Sequence, residues 1–334
     1  MNRFTQHEKP ALLEIRDLSL SFHKQEHMVI DRVSFSIEAG STLGLVGASG
    51  AGKSSIARSI MKLEKPDSGE ILFKGKNILD RDSQQLMSAR QGMQLVFQEP
   101  SASLSPRRTV EQSLLEPLNH FKIGDAEHRQ EKVLRILQTV GLDQSALRRY
   151  PHQFSSGQQQ RIAIARALVT DPELVIADEA VSSLDVSIQA QILQLIQDLQ
   201  KEHGITFLFI SHDLAVIRQI ADEVAIMYRG QLLEQSPADM FFSKPAHPYS
   251  RLLLSFARNL APQRTVGDSW SLGRGRTRSD SSNACIFTDN CPDKMQICEQ
   301  QAPVSRNIQD KNQHALRPHC VKCHLYDEVK ADET

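Results

Sequence analysis

The stretch Gly47-Ala-Ser-Gly-Ala-Gly-Lys-Ser54 decides how this chain reads. It matches the phosphate-binding pattern G-x-x-x-x-G-K-[ST] at every fixed position. Its flanks supply the strand–loop–helix setting that such a loop needs. Leu43–Val46 is an apolar run of strand length, and Ser55–Leu63 has helical spacing. Gly47, Gly50 and Gly52 let the backbone turn sharply and approach an anion closely. The loop N–H groups and the helix N-terminus then point at phosphate. Lys53 can reach β- and γ-phosphates, and the Ser54 hydroxyl suits Mg²⁺. Ser49 and Ser55 fall in the same nucleotide-binding stretch.

Downstream, Leu174-Val-Ile-Ala-Asp178-Glu179 is an apolar strand that delivers two carboxylates at its C-terminal end. Ligands of open α/β sheets bind at that end. Asp178 suits Mg²⁺, through water. Glu179 suits an attacking water that it would orient and polarise. An acidic pair at a strand end can also be a plain surface cap, and the phosphate loop upstream argues against that.

The composition narrows the class. The chain has 334 residues, 40% hydrophobic and 24% charged, as expected of an ordinary globular protein. A net charge of −1 gives no nucleic-acid surface, so nucleic acid is not an expected partner. No run has the length of a transmembrane helix, and Met1–Pro10 is too polar for a signal peptide. A cytoplasmic protein is expected, unless a partner brings it to a membrane. All five cysteines (Cys285, Cys291, Cys298, Cys320 and Cys323) fall near the C-terminal end. In a cytoplasmic chain such clustering suggests a metal or cluster site before disulfides.

Along the chain, strands are expected at Leu12–Phe22, Val33–Ile37, Leu43–Val46, Glu70–Phe73, Met93–Phe97, Leu174–Ala177 and Thr206–Ile210. Val224–Met227 and Gln231–Glu234 read as a strand pair turning at Gly230. Val110–Leu147 carries no strand signal and reads as a helical insert; Gly157–Val169, Ile188–Leu199 and Leu214–Ala221 read as further helices. Pro262–Asn283 is rich in Ser, Gly and Arg and reads as a linker. Alternating strands and helices predict an α/β fold with a largely parallel sheet, and there is no internal repeat.

Between the two nucleotide elements lies Phe154-Ser-Ser-Gly-Gln-Gln-Gln-Arg161, which resembles the Leu-Ser-Gly-Gly-Gln signature of ABC transporter ATP-binding subunits. Phe154 and Ser156 depart from it, while Ser155, Gly157 and Gln158 agree. Physically, Ser155 and the N–H groups opening the helix at Gly157 offer another anion site. The resemblance implies a P-loop ABC ATPase fold: an antiparallel β subdomain, a RecA-like parallel core and a helical insert at about 99–170. It also implies Mg·ATP bound between two subunits, with Ser155, Gly157, Gln158 and Asp185 closing on the opposite subunit's nucleotide. Gln98 resembles the residue that senses Mg²⁺ and water and couples to a membrane subunit. Asp185, in Ser183-Leu-Asp185, resembles the loop across the dimer seam. His212, in Ile210-Ser-His-Asp213, resembles the histidine that contacts the γ-phosphate. Phe22 stands where the family stacks an aromatic ring on adenine, although an aromatic residue at a strand end is also ordinary core. Ala180 stands where many relatives have Pro, a change expected to alter loop stiffness only.

Phe97-Gln-Glu-Pro-Ser-Ala-Ser-Leu-Ser-Pro-Arg107 and Pro245-Ala-His-Pro-Tyr249 narrow the resemblance to the peptide and nickel uptake branch. The resemblance implies an importer ATPase driving uptake of peptides, nickel or a metal chelate from the cytoplasmic face of the cell membrane. Its partners are then two integral-membrane permease subunits, a second ATP-binding subunit (identical or related) and, indirectly, an extracytoplasmic solute-binding protein. The cysteine tail resembles that branch's ending, which in some members holds a [4Fe–4S] cluster; Cys285, Cys291, Cys298 and Cys323 match, with Cys320 as the alternate. Zinc or free thiols remain open for the same residues. The expected domains are a nucleotide-binding domain at 1–258, a linker at 259–283 and a cysteine-rich extension at 284–334. The rival readings are a soluble ABC-type ATPase acting on nucleic acid or ribosomes, and a redox-sensing ATPase.

Overall fold

The computed structural model describes residues 11–22, 27–80, 82–100, 103–257, 276–277, 283–308 and 317–327. The chain starts with two long antiparallel strands, β1 (Ala11–Phe22) and β2 (His27–Glu38). β3 (Thr42–Gly47) leads through the glycine-rich loop into α1 (Lys53–Ile60). β4 (Ser68–Phe73), β5 (Lys76–Asn77), α2 (Ser83–Gly92) and β6 (Met93–Val96) follow. The helical insert contributes α3 (Val110–His120), α4 (Ala126–Thr139) and α5 (Ser156–Leu168). β7 (Leu174–Asp178), α6 (Val186–His203), β8 (Thr206–Ser211), α7 (Leu214–Ile220), β9 (Glu223–Tyr228) and β10 (Gln231–Pro237) complete the body. The remaining elements are α8 (Ala238–Ser243), α9 (Pro248–Ala257), β11 (Arg276–Thr277), α10 (Gln296–Gln300), β12 (Ser305–Asn307) and β13 (Cys320–Lys322).

Two sheets result. A smaller antiparallel sheet runs β11-β2-β1-β4-β5, and a larger one runs β12-β13-β10-β9-β3-β8-β7-β6. In the larger sheet β9, β3, β8, β7 and β6 are parallel, while β10, β13 and β12 are added antiparallel at one edge. Parallel strands buried on both faces need apolar side chains at every position, and β7 shows why. Leu174 and Ile176 pack towards α1 and the smaller sheet, whereas Val175 and Ala177 pack towards the helical insert. The short β9–β10 turn is Arg229-Gly230, both at positive φ, the geometry that matches a hairpin's twist.

Several elements differ from the sequence expectation. α1 starts at Lys53 and stops at Ile60, because Lys62 turns into the left-handed region and ends the helix. β2 extends well before Val33; its ladder with β1 carries register shifts, which let polar Asp31 and Arg32 sit within the strand. α2 was hidden because its sequence is Gln- and Ser-rich; the Asp82 side chain caps it by accepting from Gln85 N–H. β13 pairs with β10 and extends the body's own sheet. Most of the expected linker lies outside the described residues, but Arg276–Thr277 pairs with His27 and Met28 at the edge of the smaller sheet.

Candidate nucleotide site

Sheet register assembles the site. Val46 is paired with Ser211, and Asp178 with Ile210. Gly47, Asp178, Glu179 and His212 therefore emerge together at the C-terminal edge of neighbouring parallel strands, where α/β sheets bind ligands. A Cβ at Gly47 would lie 2.4 Å from the Met227 carbonyl oxygen, so only glycine fits there. Gly52 sits at φ +99, at the N-cap of α1.

The helix caps reveal what the loop is for. A side chain caps each of the helices α2 to α7, from Asp82, Thr109, Asp125, Ser155, Asp185 and Asp213. The N-terminus of α1 has no side-chain cap and no acidic residue in its first turn. Its N–H groups and the positive end of its dipole are left for an external anion.

Lys53 is buried, with its Nζ donating to the carbonyl oxygens of Gly47 at 2.8 Å and Ala48 at 3.0 Å. Burial lowers its pKa, opposed by Glu179 and Asp178. The Ser54 hydroxyl donates to Asp178 Oδ1 at 3.0 Å, across 124 residues of sequence. Burial raises the Asp178 pKa, and the Ser54 hydrogen bond partly offsets it. A hydroxyl and a half-buried carboxylate side by side are an all-oxygen donor set that fits Mg²⁺.

Glu179 is a non-glycine residue at φ +50, a conformation found more often at functional sites than elsewhere. Its Oε1 lies 3.3 Å from His212 Nδ1. Ala180 is buried just behind it. Gln98 is exposed one residue past Phe97, which follows β6. Phe22 is exposed at the end of β1, free of the core that an ordinary strand-end aromatic would join.

Other sequence candidates lie apart from this cluster. Ser155 caps α5 in a capping box: Gln158 N–H donates to Ser155 Oγ at 3.4 Å, and Ser155 N–H donates to Gln158 Oε1 at 3.2 Å. Both residues, and Ser156, are exposed. Gly157 is buried, and a Cβ there would lie 2.3 Å from Ile188 Cγ2, so it sets the packing of α5 on α6. Asp185 is exposed and caps α6; the Ser187 hydroxyl and the Ile188 N–H hold its pKa down.

The extension gathers four of the five thiols. Burial pushes the Cys323 thiol up to about 11, with smaller contributions from Cys285, Cys291 and Cys298 nearby. Cys285 N–H donates to the Cys298 carbonyl at 2.8 Å. Cys320 faces Glu223 instead. His319 is bonded to Glu234, and His324 to Asp327 and the Gln301 carbonyl. Among the described residues no group of three or more His, Cys, Asp or Glu side chains is drawn together tightly enough for a single metal ion.

Sequence reasoning missed one polar hub. Glu234, 1% exposed, accepts from the N–H groups of Ala246 and His247, both at 2.8 Å, and lies 2.9 Å from His319 Nε2. It ties β10, the entry to α9 and the cysteine tail together. The only sequence signal was an acidic residue in an otherwise strand-like run.

An uncapped glycine loop with its lysine, a hydroxyl–carboxylate pair and a carboxylate–imidazole pair define a P-loop nucleoside-triphosphatase site. Comparison with known proteins agrees. The ABC transporter family model matches residues 30–182, and the model for the oligopeptide/dipeptide transporter C-terminal region matches 233–298. The oligopeptide transport ATP-binding protein AppF of Bacillus subtilis is 42% identical over 95% of this chain and 98% of its own. The dipeptide transport ATP-binding protein DppF of Haemophilus influenzae is 43% identical over 84% of this chain and 85% of its own. Among solved structures, cbiO1 of Clostridium perfringens, part of the ABC transporter complex cbiONQ, superposes with a TM-score of 0.64 at 27% identity, covering 70% of this chain and 91% of that one. A dimeric ATP-binding cassette bound to ADP and Pi gives 0.62 at 28% identity, covering 68% of this chain and 98% of that one. The chain belongs to the ABC transporter ATP-binding family, in the branch with the oligopeptide/dipeptide C-terminal region, and is an ATPase. No helix among its described residues is long and apolar enough to cross a membrane.

Proposed function

We propose that this ATPase drives a peptide importer from the cytoplasmic face of the cell membrane. Its partners are two integral-membrane subunits fed by an extracytoplasmic binding protein. Peptide is the cargo named for the relatives, which favours it over nickel or a metal chelate. The observation that carries the catalytic part is the Ser54–Asp178 bond, which joins the phosphate loop to the acidic strand end at 3.0 Å. Lys53, Ser54, Ser55 and the loop amides of Gly47–Gly52 hold the triphosphate, and Phe22 stacks on the base. Ser54, Asp178 and Gln98 would hold Mg²⁺, which would neutralise charge on the phosphates. Glu179 orients and polarises water beside the γ-phosphate, with His212 held against it. Lys53 must leave its carbonyl partners to reach phosphate, so it arrives already desolvated. Ser155, Gly157, Gln158 and Asp185 serve the nucleotide of a second ATP-binding subunit, identical or related.

Purification from membranes tests this reading. Two polytopic membrane proteins should co-purify, and peptides should stimulate turnover in reconstituted vesicles. A soluble particle bound to ribosomes or DNA, without membrane partners, overturns it.

For the extension we propose a cluster site of Cys285, Cys291, Cys298 and Cys323, on a segment from 284 joined to the 1–258 domain by residues 259–283. Support comes from the donor set: Cys285, Cys291 and Cys298 lie near enough to Cys323 to act on its thiol, with both histidines engaged elsewhere. A single zinc needs four sulfurs at about 2.3 Å from one point, whereas a four-iron cluster spreads its thiolates wider. Anaerobically purified protein should contain iron and acid-labile sulfide and absorb broadly in the visible. Zinc alone, or no metal, overturns the cluster.

A further inference from the structure

A cavity of about 500 Å³ lies at the opposite end of the parallel sheet from the nucleotide site. Thr206, which opens β8, is in its wall, and Pro172 and Glu173 lead from it into β7. Gly47, Asp178 and His212 emerge at the far ends of these parallel strands, and a six-residue strand such as β8 spans about 17 Å. No residue of the phosphate loop lines the cavity. Its walls come from separate parts of the chain: Leu12 of β1, Leu168 at the end of α5, Leu199 and His203 of α6, and one face of α4. On α4, His128, Lys132, Arg135 and Thr139 recur every three to four residues, so they form a single stripe.

The hollow is apolar inside, where Leu12, Leu168, Leu199 and Ile205 are buried. The charged groups around it are unequally committed. Lys132 is bonded to Asp171, and Glu173 to Lys74, 2.5 Å away and outside the lining. Both carboxylates of the wall are thereby neutralised. The Arg135 guanidinium makes no hydrogen bond or ion pair among the described residues, and neither do the rings of His128 and His203. The Thr206 hydroxyl, in a residue 1% exposed, accepts from the Gly40 N–H at 2.8 Å, which leaves its own proton to donate. The unspent groups are therefore donors: a guanidinium, two imidazoles and a hydroxyl. A largely apolar hollow of this size with a few converging polar groups has the character of a small-molecule site.

We infer that this cavity binds a small organic carboxylate with an apolar, preferably aromatic, body. Arg135 would take the carboxylate through two parallel N–H bonds, a geometry that a guanidinium and a carboxylate share. The body would pack on Leu199 and Ile205. An occupant would touch the helical insert and the sheet core at once, far from the reacting phosphate, so it and ATP bind together.

The probe is 2-naphthaleneacetate, titrated into the full-length chain by calorimetry. It should bind saturably. 2-(2-Naphthyl)ethanol, with the same ring and no charge, and 2-(2-naphthyl)ethylamine, with the opposite charge, should each bind about tenfold more weakly or worse. Arg135→Gln, at an exposed helix position, should weaken the acid by about tenfold and leave the alcohol unchanged. Thr139→Trp should fill the hollow and abolish binding of the acid, while a fluorescent ATP analogue still binds and so reports folding. Saturating ATP should leave the affinity for the acid within about twofold. Equal binding of the three naphthyl probes, unchanged affinity in Arg135→Gln, survival of binding in Thr139→Trp, one-to-one competition with ATP, or no saturable binding at millimolar 2-naphthaleneacetate would each overturn the inference.

Discussion

The nucleotide site and the joint that anchors the C-terminal extension treat their buried charges in opposite ways. At the nucleotide site the charges are poorly satisfied. Lys53 is parked on two carbonyls, Asp178 is raised by burial, and Glu179 holds a left-handed backbone. At the joint, Glu234 is more deeply buried and still has a lowered pKa: burial alone would raise it, but the bonds from His319, Ala246 and His247 outweigh that cost. A site that must bind and release a ligand keeps groups whose best partner is absent. A joint that must only hold surrounds its buried carboxylate with donors. The first region spends stability, and the second supplies it.

Breaking the joint should have the largest effect. Glu234→Ala leaves two amides and His319 without their acceptor, and should cost about 4 kcal/mol of unfolding free energy in denaturant titration. A loss under 1 kcal/mol would mean that the hub is not structural. Next, Glu179→Gln keeps the nucleotide contacts and removes water activation. ATP binding should persist and trap a closed dimer, while turnover drops by about a hundred- to a thousandfold. Near-normal turnover would show that another group polarises the water.

Acidity separates the two regions further. Burial depresses His247 from 6.5 to about 4, with Glu234 opposing and Arg251 assisting. The folded state thus binds fewer protons than the unfolded state between those values. Stability contributed by neutral His247 is complete above pH 6.5 and is lost as pH falls towards 4, up to about 3 kcal/mol. His247→Asn retains an acceptor for the Tyr249 N–H, now donated to Nδ1 at 3.0 Å. It should flatten this part of the pH–stability curve, and an unchanged curve would refute the assignment. The smallest effect runs the other way. The raised pKa of Asp178 means that its stability contribution is lost as pH rises through the folded value, so ionised Asp178 weakens the fold at neutral pH. Asp178→Asn should raise stability by about 1 kcal/mol without nucleotide and abolish Mg²⁺-dependent hydrolysis. A destabilised variant would place Asp178 with the joint rather than with the site.

Local chemistry is written in the sequence. Residues whose meaning lies in a short window, the glycine loop with Lys53 and Ser54 and the apolar strand ending in Asp178 and Glu179, could be read directly, because loop conformation and strand polarity are set by neighbours a few positions away. The parallel α/β body was legible for the same reason: strands buried on both faces are continuously apolar, and the helices between them keep their own period. α2 was not legible, since a Gln- and Ser-rich helix on the surface needs only a cap and no apolar stripe. Features that depend on long-range placement came from the fold. Strand register, not spacing, put Ser54 on Asp178 and His212 beside Glu179. Pairing of β13 with β10 made the cysteine tail part of the main sheet. Glu234 became a hub because three separate segments converge on one buried carboxylate, which no single stretch of sequence can announce.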